Sequence, residues 1–121
     1  MKSSDYKDLL VWQKAMDLTV EVYSIVKLLP QEETYALSDQ MRRAAVSIPS
    51  NIAEGQGRDS SKEFIRFLSV ARGSLRELST QLEICERLGY INQSNTSRSS
   101  MLITEVDKML TSLATKLMQK N

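Results

Sequence analysis

The sequence predicts an all-α protein, an antiparallel up-down-up-down four-helix bundle that forms a single domain over residues 8–119. Four segments repeat apolar residues in steps of three and four, the spacing of one helix face, and no segment sustains the alternation typical of a strand. With 121 residues, 41% of them hydrophobic, the chain is long enough to enclose one core.

The first helix is predicted from Asp8 to Leu29, because Pro30 cannot continue the hydrogen-bond ladder. Its main apolar stripe consists of Val11, Ala15, Leu18, Val22, Ile25 and Leu29. A second stripe beside it consists of Trp12, Met16, Tyr23 and Val26. A face this wide is typical of a helix that packs against more than one neighbour, so we expect an oligomer in which Trp12 anchors the core or an interface.

The second helix is predicted to begin after an N-cap at Ser38 and to end by Gly57. Pro49 falls in the middle of this segment and has no amide hydrogen to donate. We therefore expect a kinked second helix, with freed carbonyl groups near Ala45 and Val46 that side chains or water satisfy.

The third helix is predicted to begin at Ser60, which has the spacing of a capping box with Glu63, and to end at Gly89. The fourth begins within the polar segment 92–100 and frays over residues 118–121. The stripe of the third helix consists of Phe64, Leu68, Ala71, Leu75, Leu78, Leu82 and Cys85, and that of the fourth of Ile103, Val106, Leu110, Leu113 and Leu117. Cys85 is therefore expected to be a small buried hydrophobic residue.

The composition excludes several kinds of site. The chain has no His, the most common general base and metal ligand, and its one Cys excludes an internal disulfide and a cysteine-based zinc cluster. We therefore expect no catalytic residue, no metal site and no cofactor. The segment MKSSDYKDLL has no apolar signal core, and no segment approaches eighteen consecutive apolar residues, so we expect a cytoplasmic protein without a membrane partner.

The net charge of +1 hides an uneven distribution along the chain. Residues 1–41 carry a net charge of −3, residues 42–76 a net charge of +4, and residues 77–121 are neutral. At about 100° per residue, the cations of the third helix share the side opposite its apolar stripe. The candidate nucleic-acid-binding residues are Arg42, Arg43, Arg58, Lys62, Arg66, Arg72 and Arg76.

Two interpretations of this basic face stay open. The face can track the phosphates of a nucleic acid, because Lys and Arg release counterions when they bind a phosphate backbone. Alternatively, it is a solvated helix face with ordinary ion pairs, such as Glu83 with Arg87, or with ion pairs between subunits. Glu77 and Glu83 lie near the basic residues and weaken their field.

Asn51 and Glu54, in the stretch RRAAVSIPSNIAEGQGR, lie three residues apart and share a helix face. In an enzyme, Glu54 would act as an acid or base beside Asn51. In a structural role, both would bind the backbone opened by Pro49 or a neighbouring subunit. The chain lacks His, a second paired carboxylate and a glycine-rich phosphate loop, which favours the structural role.

Four stretches, DLLVWQKAMDL, LSDQMRRAAVSIPSNIAEGQGR, EFIRFLSVARGSLRELSTQLEI and LGYI, carry a family likeness. Together they resemble the four-helix-bundle family first found as open reading frames in the intervening sequences of 23S ribosomal RNA genes. That family is related to the accessory variability determinant proteins of diversity-generating retroelements. Its signature maps onto Trp12, Gln40, Arg42, Arg43, Ser47, Pro49, Asn51, Glu54 and Gly55.

The resemblance implies a small bacterial protein that assembles as a homopentameric barrel. The accessory relatives bind nucleic acid and a reverse transcriptase, which makes RNA, DNA or a reverse transcriptase the partners to expect. The family has no agreed catalytic residues, so none is carried over. The positive potentials of basic faces repeated around a ring would sum, so the placement of charge matters more than the net charge of one chain.

Three functions follow as hypotheses. The first is a non-enzymatic oligomer that binds the backbone of RNA or DNA through the basic helix face. The second is a structural or scaffold oligomer that binds another protein, such as a reverse transcriptase. The third is a nuclease that uses Glu54, which is disfavoured because phosphodiester hydrolysis normally requires clustered metal-binding carboxylates.

Overall fold

The computed structural model of the protein describes residues 5–120 and contains no strand in that range. Its four α-helices are α1 (Leu10–Val26), α2 (Leu37–Gln56), α3 (Ser61–Arg87) and α4 (Gln93–Gln119). Two short 3-10 helices, Tyr6–Asp8 and Gln31–Glu33, precede α1 and α2. The predicted all-α fold with four helices is confirmed.

Contacts between neighbouring helices pair residues in opposite sequence order. Between α1 and α4, Lys14 pairs with Glu105 at 3.6 Å and Glu21 with Arg98 at 3.5 Å. As the residue number rises along α1, the partner's number falls along α4. This is the order expected between antiparallel neighbours in a bundle.

The core lies where the four apolar stripes meet. Its largest fully buried side chains are Leu18 and Val22 of α1, Met41, Ile48 and Ile52 of α2, Leu68, Leu78 and Cys85 of α3, and Leu102, Val106 and Leu110 of α4. Nearly all of these positions follow the steps of three and four in the sequence. Leu102 was not assigned to the predicted stripe of the fourth helix, and it is buried one turn before Val106.

The first helix is shorter than predicted at both ends. Asp8 belongs to the short 3-10 helix, and α1 begins only at Leu10. At the other end α1 finishes at Val26, three residues before Leu29. The residue that precedes a proline is disfavoured in the α conformation, so the chain leaves the helix before Pro30 rather than at it.

The predicted N-cap at Ser38 is wrong. Ser38 is buried inside the first turn of α2, and the helix begins at Leu37 after Ala36, whose side chain cannot cap it. The free amide of Leu37 instead donates to the carboxylate of Glu33, at 3.3 Å. The same carboxylate group accepts a 2.8 Å hydrogen bond from Tyr90 at the far end of α3, which raises the pKa of the Tyr90 hydroxyl.

Pro49 lies within α2, which continues without interruption to Gln56 and is capped by Gly57, as predicted for its end. The carbonyl of Ala45, which an ordinary residue 49 would bind, is 3.1 Å from the hydroxyl of Thr19 on α1. A side chain thus satisfies the carbonyl that Pro49 leaves free. A change in the direction of the helix axis at Pro49 stays a prediction.

The ends of α3 and α4 follow local capping chemistry. Ser60 accepts a hydrogen bond from the amide of Glu63, but the Glu63 side chain pairs with Arg66 instead of completing the predicted capping box. At the other end, Gly89 has a φ of +81°, and Tyr90 donates its amide to the carbonyl of Cys85, the geometry of a Schellman motif.

A complete capping box starts α4 between Asn92 and Asn95, each side chain accepting a hydrogen bond from the other's amide. Residues 118–121 were predicted to fray, whereas α4 remains helical to Gln119; Asn121 lies outside the described residues. Within residues 5–120, no helix is both long and apolar enough to cross a membrane.

Candidate nucleic-acid interface

The outer side of α3 carries four of the predicted basic residues. Lys62, Arg66 and Arg76 are exposed, and Arg72 is half-buried at the edge next to α4. The buried stripe of the same helix, from Leu68 to Cys85, lies on the opposite side. The geometry of α3 therefore agrees with the basic outer face expected from the sequence.

Most arginines of the molecule are engaged by a nearby carboxylate. Four pairs join residues three or four positions apart: Arg43–Asp39 at 3.0 Å, Arg58–Glu54 at 2.6 Å, Arg66–Glu63 at 3.3 Å and Arg87–Glu83 at 3.0 Å. All eight side chains are substantially exposed, and exposed ion pairs stabilise a fold only slightly because water screens them. These arginines are neutralised locally but remain accessible to a competing anion.

Two of these arginines share an aromatic ring. The guanidinium carbons of Arg58 and Arg66 lie 4.9 Å and 4.6 Å from the centre of the Phe67 ring, within cation–π distance. A hydrogen bond from Arg66 and its positive charge lower the pKa of the Glu63 carboxyl, with smaller contributions from the charges of Arg58 and Lys62. The start of α3 is thus a compact cluster of alternating charge around one ring.

Arg42 and Arg72 have structural contacts. Arg42 donates to the carbonyl of Thr34 at 3.2 Å and, with Tyr23, lines a groove on the α1 side of the bundle, so the structure does not bring it to the α3 face. Arg72 donates to Asp107 of α4 at 3.3 Å and joins the two helices. The sequence analysis predicted both as phosphate contacts because these tertiary partners are not evident from the sequence.

Three of the seven predicted cations form no ion pair with any carboxylate of residues 5–120: Arg42, which donates to the Thr34 carbonyl, and the exposed Lys62 and Arg76. Arg76 lines a groove of about 210 Å³ between α3 and α4. Lys108 of α4 lines the same groove and has no carboxylate partner within that range either. The sequence analysis missed Lys108 because nothing in the sequence alone places it beside Arg76.

The stretch around Pro49 forms a polar contact between α2 and α3. The Asn51 amide donates to the Ser47 carbonyl at 2.7 Å and to the Ser47 hydroxyl at 2.9 Å. Ser74 of α3 donates to the Ser47 hydroxyl at 2.8 Å. Ser47 and Asn51 are therefore hydrogen-bonded within the fold, and Glu54 is paired with Arg58. These contacts favour a structural role for Asn51 and Glu54 over a role as an acid or base.

Gly55 lets α2 and α3 approach closely. A Cβ atom at this position would lie 2.7 Å from Phe67 Cβ and 2.9 Å from Phe64 Cδ1, distances that real Cβ atoms do not adopt.

The remaining signature residues make fewer contacts within the fold. Trp12 is half-buried with its ring edge-on to Tyr6 at 5.3 Å, and Gln40 is exposed.

Cys85 is fully buried, as predicted, and its sulfur lies 3.6 Å from that of Met41. Burial raises the pKa of the Cys85 thiol to about 11, and the nearby charges of Glu33 and Glu86 act in the same direction.

In the described part of the chain, no three acidic or cysteine side chains are grouped so as to hold a metal ion.

Residues 7–112 match the family model described as 23S rRNA-intervening sequence protein. This match covers most of the chain: all of α1, α2 and α3, α4 as far as residue 112, and every candidate residue above. The chain belongs to the 23S rRNA-intervening sequence protein family. The resemblance noted in the sequence is confirmed.

A solved structure supports the fold of this 23S rRNA-intervening sequence family member. It is the crystal structure of a protein with unknown function from the S23 ribosomal protein family of Bacteroides thetaiotaomicron. The two chains are 28% identical, the TM-score is 0.80, and the match covers 87% of this chain and 98% of the other. Comparison with curated protein sequences gives no match.

Proposed function

We propose that this family member is a non-enzymatic, oligomeric nucleic-acid-binding protein that contacts the phosphate backbone through the outer face of α3. The observation that carries the proposal is that Lys62 and Arg76 are exposed on this face and have no ion pair within residues 5–120. A cation without a carboxylate partner can bind a phosphate without first breaking an internal contact.

The paired arginines of the same face add to this capacity. Arg58 and Arg66 hold exposed carboxylates that compete only weakly in water, so a polyanion with many closely spaced charges can displace them. Residues 42–76 carry a net charge of +4 although the whole chain carries only +1. The local field, rather than the net charge, favours association with a polyanion.

The number of contacts sets the expected strength of binding. Each phosphate contact contributes about 0.9 to the slope of log affinity against log salt on duplex DNA and about 0.7 on single strands. The two cations of the α3 face that have no ion pair within residues 5–120, Lys62 and Arg76, would give one chain a slope of only about −2, which corresponds to weak binding. An oligomer that presents several such faces would bind more tightly by avidity, so assembly and binding support each other.

A titration of labelled duplex and single-stranded RNA, at salt concentrations from about 50 to 200 mM, tests the proposal. We expect wild-type protein to bind without strong sequence preference and to lose affinity steeply as salt rises. The double variant Lys62→Gln, Arg76→Gln should bind more weakly and with a shallower slope. The matched control is Lys27→Gln, Lys116→Gln, two exposed lysines after α1 and on α4, which removes the same charge away from the α3 face. Absence of binding by wild type even at low salt contradicts the proposal.

A second candidate function, assembly with another protein, is favoured by an apolar surface on α1 and α2. Met16, Val20 and Tyr23 recur in steps of four and three on α1 and are 39%, 66% and 44% exposed. Thr19, between them, contacts α2, where Val46 is 41% exposed. Large apolar side chains grouped on one side are typical of a contact surface, here for a second copy, as in a pentamer, or for a reverse transcriptase.

The proposal assigns no catalytic role to any residue. Glu54, the one candidate acid or base, lies 2.6 Å from Arg58 in an ion pair. Incubation of labelled RNA with the protein and a divalent metal ion should leave the RNA intact. Metal-dependent cleavage that disappears in Glu54→Gln would revive the nuclease hypothesis.

A further inference from the structure

The groove between α3 and α4 combines polar walls with two cations that form no ion pair within residues 5–120. Arg76 contributes from α3 and Lys108 from α4, so the positive charges come from both sides. Ser79 and Thr104 add hydroxyl groups, and the apolar part of the lining comes from Leu75 and Ile103. The groove volume of about 210 Å³ equals that of about seven liquid water molecules, enough for a phosphate group.

The charge of this groove is positive even though it contains a carboxylate. Asp107 lines the groove, but Arg72 lies 3.3 Å from it and neutralises it. Arg76 and Lys108 then remain as a surplus of two positive charges. Among the described residues that line this groove, no other is acidic.

The outer face of α4 extends the groove with uncharged hydroxyl groups. Ser97, Ser100, Thr104, Thr111 and Thr115 are all exposed on this face. The hydroxyls of Thr104 and Thr111 donate to the carbonyls of Ser100 and Asp107, four residues earlier, and keep their lone pairs free to accept. A surface of hydroxyls beside cations suits the sugar and phosphate groups of a nucleic acid, which supply both anions and hydrogen-bonding oxygens.

The distribution of aromatic side chains decides between single-stranded and double-stranded ligands. Single strands are held largely by stacking of bases on exposed aromatic rings. The exposed aromatic residues of the described chain are Tyr23 and Tyr35, on α1 and on the connection to α2, and the Phe67 ring is covered by Arg58 and Arg66. The α3–α4 groove therefore offers phosphate contacts without a stacking surface.

We propose that the α3–α4 groove is the docking site for the phosphodiester backbone of a nucleic-acid duplex, with Arg76 and Lys108 contacting the phosphates from opposite walls. The inference rests on the proposed function and goes further by naming the groove, a residue outside the predicted set and the class of nucleic acid. Binding through backbone phosphates carries no direct sequence information, so the site is independent of sequence.

The test compares three labelled probes of one sequence and of about 20 nucleotides per strand: duplex RNA, duplex DNA and single-stranded RNA. Wild type should bind the duplexes more tightly than the single strand at the same salt concentration. Lys108→Gln and Arg76→Gln should each weaken duplex binding and reduce the salt slope by about 0.9. Both side chains are exposed and have no ion pair in the described part of the chain, so circular dichroism should show unchanged helix content and an unchanged unfolding temperature.

Two matched controls remove the same charge outside the groove. Arg87→Gln lies on the same helix as Arg76, about 17 Å further along, and already pairs with Glu83. Lys116→Gln lies on the same helix as Lys108, about 12 Å further along. Both controls should bind duplexes nearly as wild type does. If Lys108→Gln and Arg76→Gln lose the same affinity for RNA and DNA duplexes, the groove recognises the backbone that both share. If they lose affinity for the RNA duplex alone, the same groove also recognises the 2′-hydroxyl.

Three results would overturn the inference. If duplexes bind wild type, Lys108→Gln and Arg76→Gln with the same affinity and slope, the groove is not the site, and the proposed function then rests on Lys62 and the paired arginines of the α3 face. If the single strand binds more tightly than either duplex, the ligand class is wrong. If none of the probes binds at low salt, the proposed function and the inference fail together.

Discussion

The hydroxyl of Thr19 lies 3.1 Å from the carbonyl oxygen of Ala45, in the turn of α2 from which Pro49 removes a hydrogen bond. The same hydroxyl lies 2.9 Å from the carbonyl of Ala15 in its own helix, so its single proton is shared between two acceptors. Pro49 lacks the amide hydrogen that would normally reach Ala45. A side chain of α1 therefore replaces a backbone hydrogen bond of α2 and joins the two helices.

Replacing Thr19 by Val should destabilise the fold by about 1 kcal/mol or more, because the carbonyl of Ala45 loses its donor in a partly buried position. Valine has nearly the same shape, so packing changes little. The free energy of unfolding from urea denaturation is the measurement.

Thr19→Val in a Pro49→Ala background should destabilise the fold by less. Alanine restores the amide that Ala45 would bind, so Thr19 is no longer its sole donor. A double-mutant cycle would measure this coupling. Equal costs in the two backgrounds would mean that the contact with Ala45 contributes nothing to stability.

Gly55→Ala should destabilise the fold by about 1 to 3 kcal/mol, because the new methyl group would overlap Phe67 and Phe64 and push α2 away from α3. Gly73→Ala is the matched control on α3, since a Cβ there meets no atom within 4 Å. That change should stabilise the helix by up to about 1 kcal/mol. Thermal unfolding of the two variants should shift in opposite directions, and a shift in the same direction would contradict the close approach at Gly55.

The local features of the fold follow from the sequence better than the contacts between helices do. Ser60 as a cap and Gly89 as a helix end were predictable because capping depends on neighbouring residues. Ser38 had the same local chemistry but is buried inside the helix, because the carboxylate of Glu33 takes over the capping contact at Leu37. Tertiary packing overrides a local preference there.

The candidate site was predictable only in part for the same reason. The pairs Arg58–Glu54 and Arg87–Glu83 follow the four-residue spacing and can be read from the sequence. Lys108 enters the groove from another helix, and no spacing along the chain links it to Arg76. The sequence therefore predicts a basic helix face, while the selection of unpaired cations within it requires the folded structure.

The Cys85 thiol should react slowly with an alkylating reagent in the folded protein and readily in denaturant. Burial removes access, and a pKa of about 11 leaves almost no thiolate at neutral pH. Mass spectrometry after timed exposure to iodoacetamide at pH 8 would measure the difference. Equal rates in the folded and denatured states would show that the core opens at Cys85.

The same raised pKa predicts a loss of stability in alkaline solution. The folded state raises the pKa of the Cys85 thiol from its ordinary value of 9.0 to about 11, so the folded thiol keeps its proton at a pH where a free thiol loses it. The stabilisation from the neutral buried thiol is complete below about pH 9 and is lost as pH rises towards about 11. The stability difference between wild type and Cys85→Ala should therefore narrow across this window. A constant difference would contradict the raised pKa.

Oligomerisation through the apolar surface of α1 and α2 can be tested with Val20→Glu, Val46→Glu. Both side chains are exposed in one chain, so the variant should fold, but two carboxylates in a subunit contact would be buried without partners and separate the subunits. Light scattering at micromolar concentration should give a mass well above 13.7 kDa for wild type and about 13.7 kDa for the variant. Met101→Glu, at a site on α4 that is 55% exposed, is the control and should stay assembled.

Assembly also has a consequence for nucleic-acid binding. Within residues 5–120, the α3 face and the α3–α4 groove of one chain present three exposed cations without an ion pair, Lys62, Arg76 and Lys108. The Val20→Glu, Val46→Glu variant should therefore bind duplex more weakly and with a shallower salt slope than wild type, although its α3–α4 groove is unchanged. Because the added carboxylates also change the net charge, the Met101→Glu control must be compared at the same salt concentration. A monomeric wild type would contradict assembly through any surface, and dissociation of Met101→Glu alone would move the subunit contact to α4.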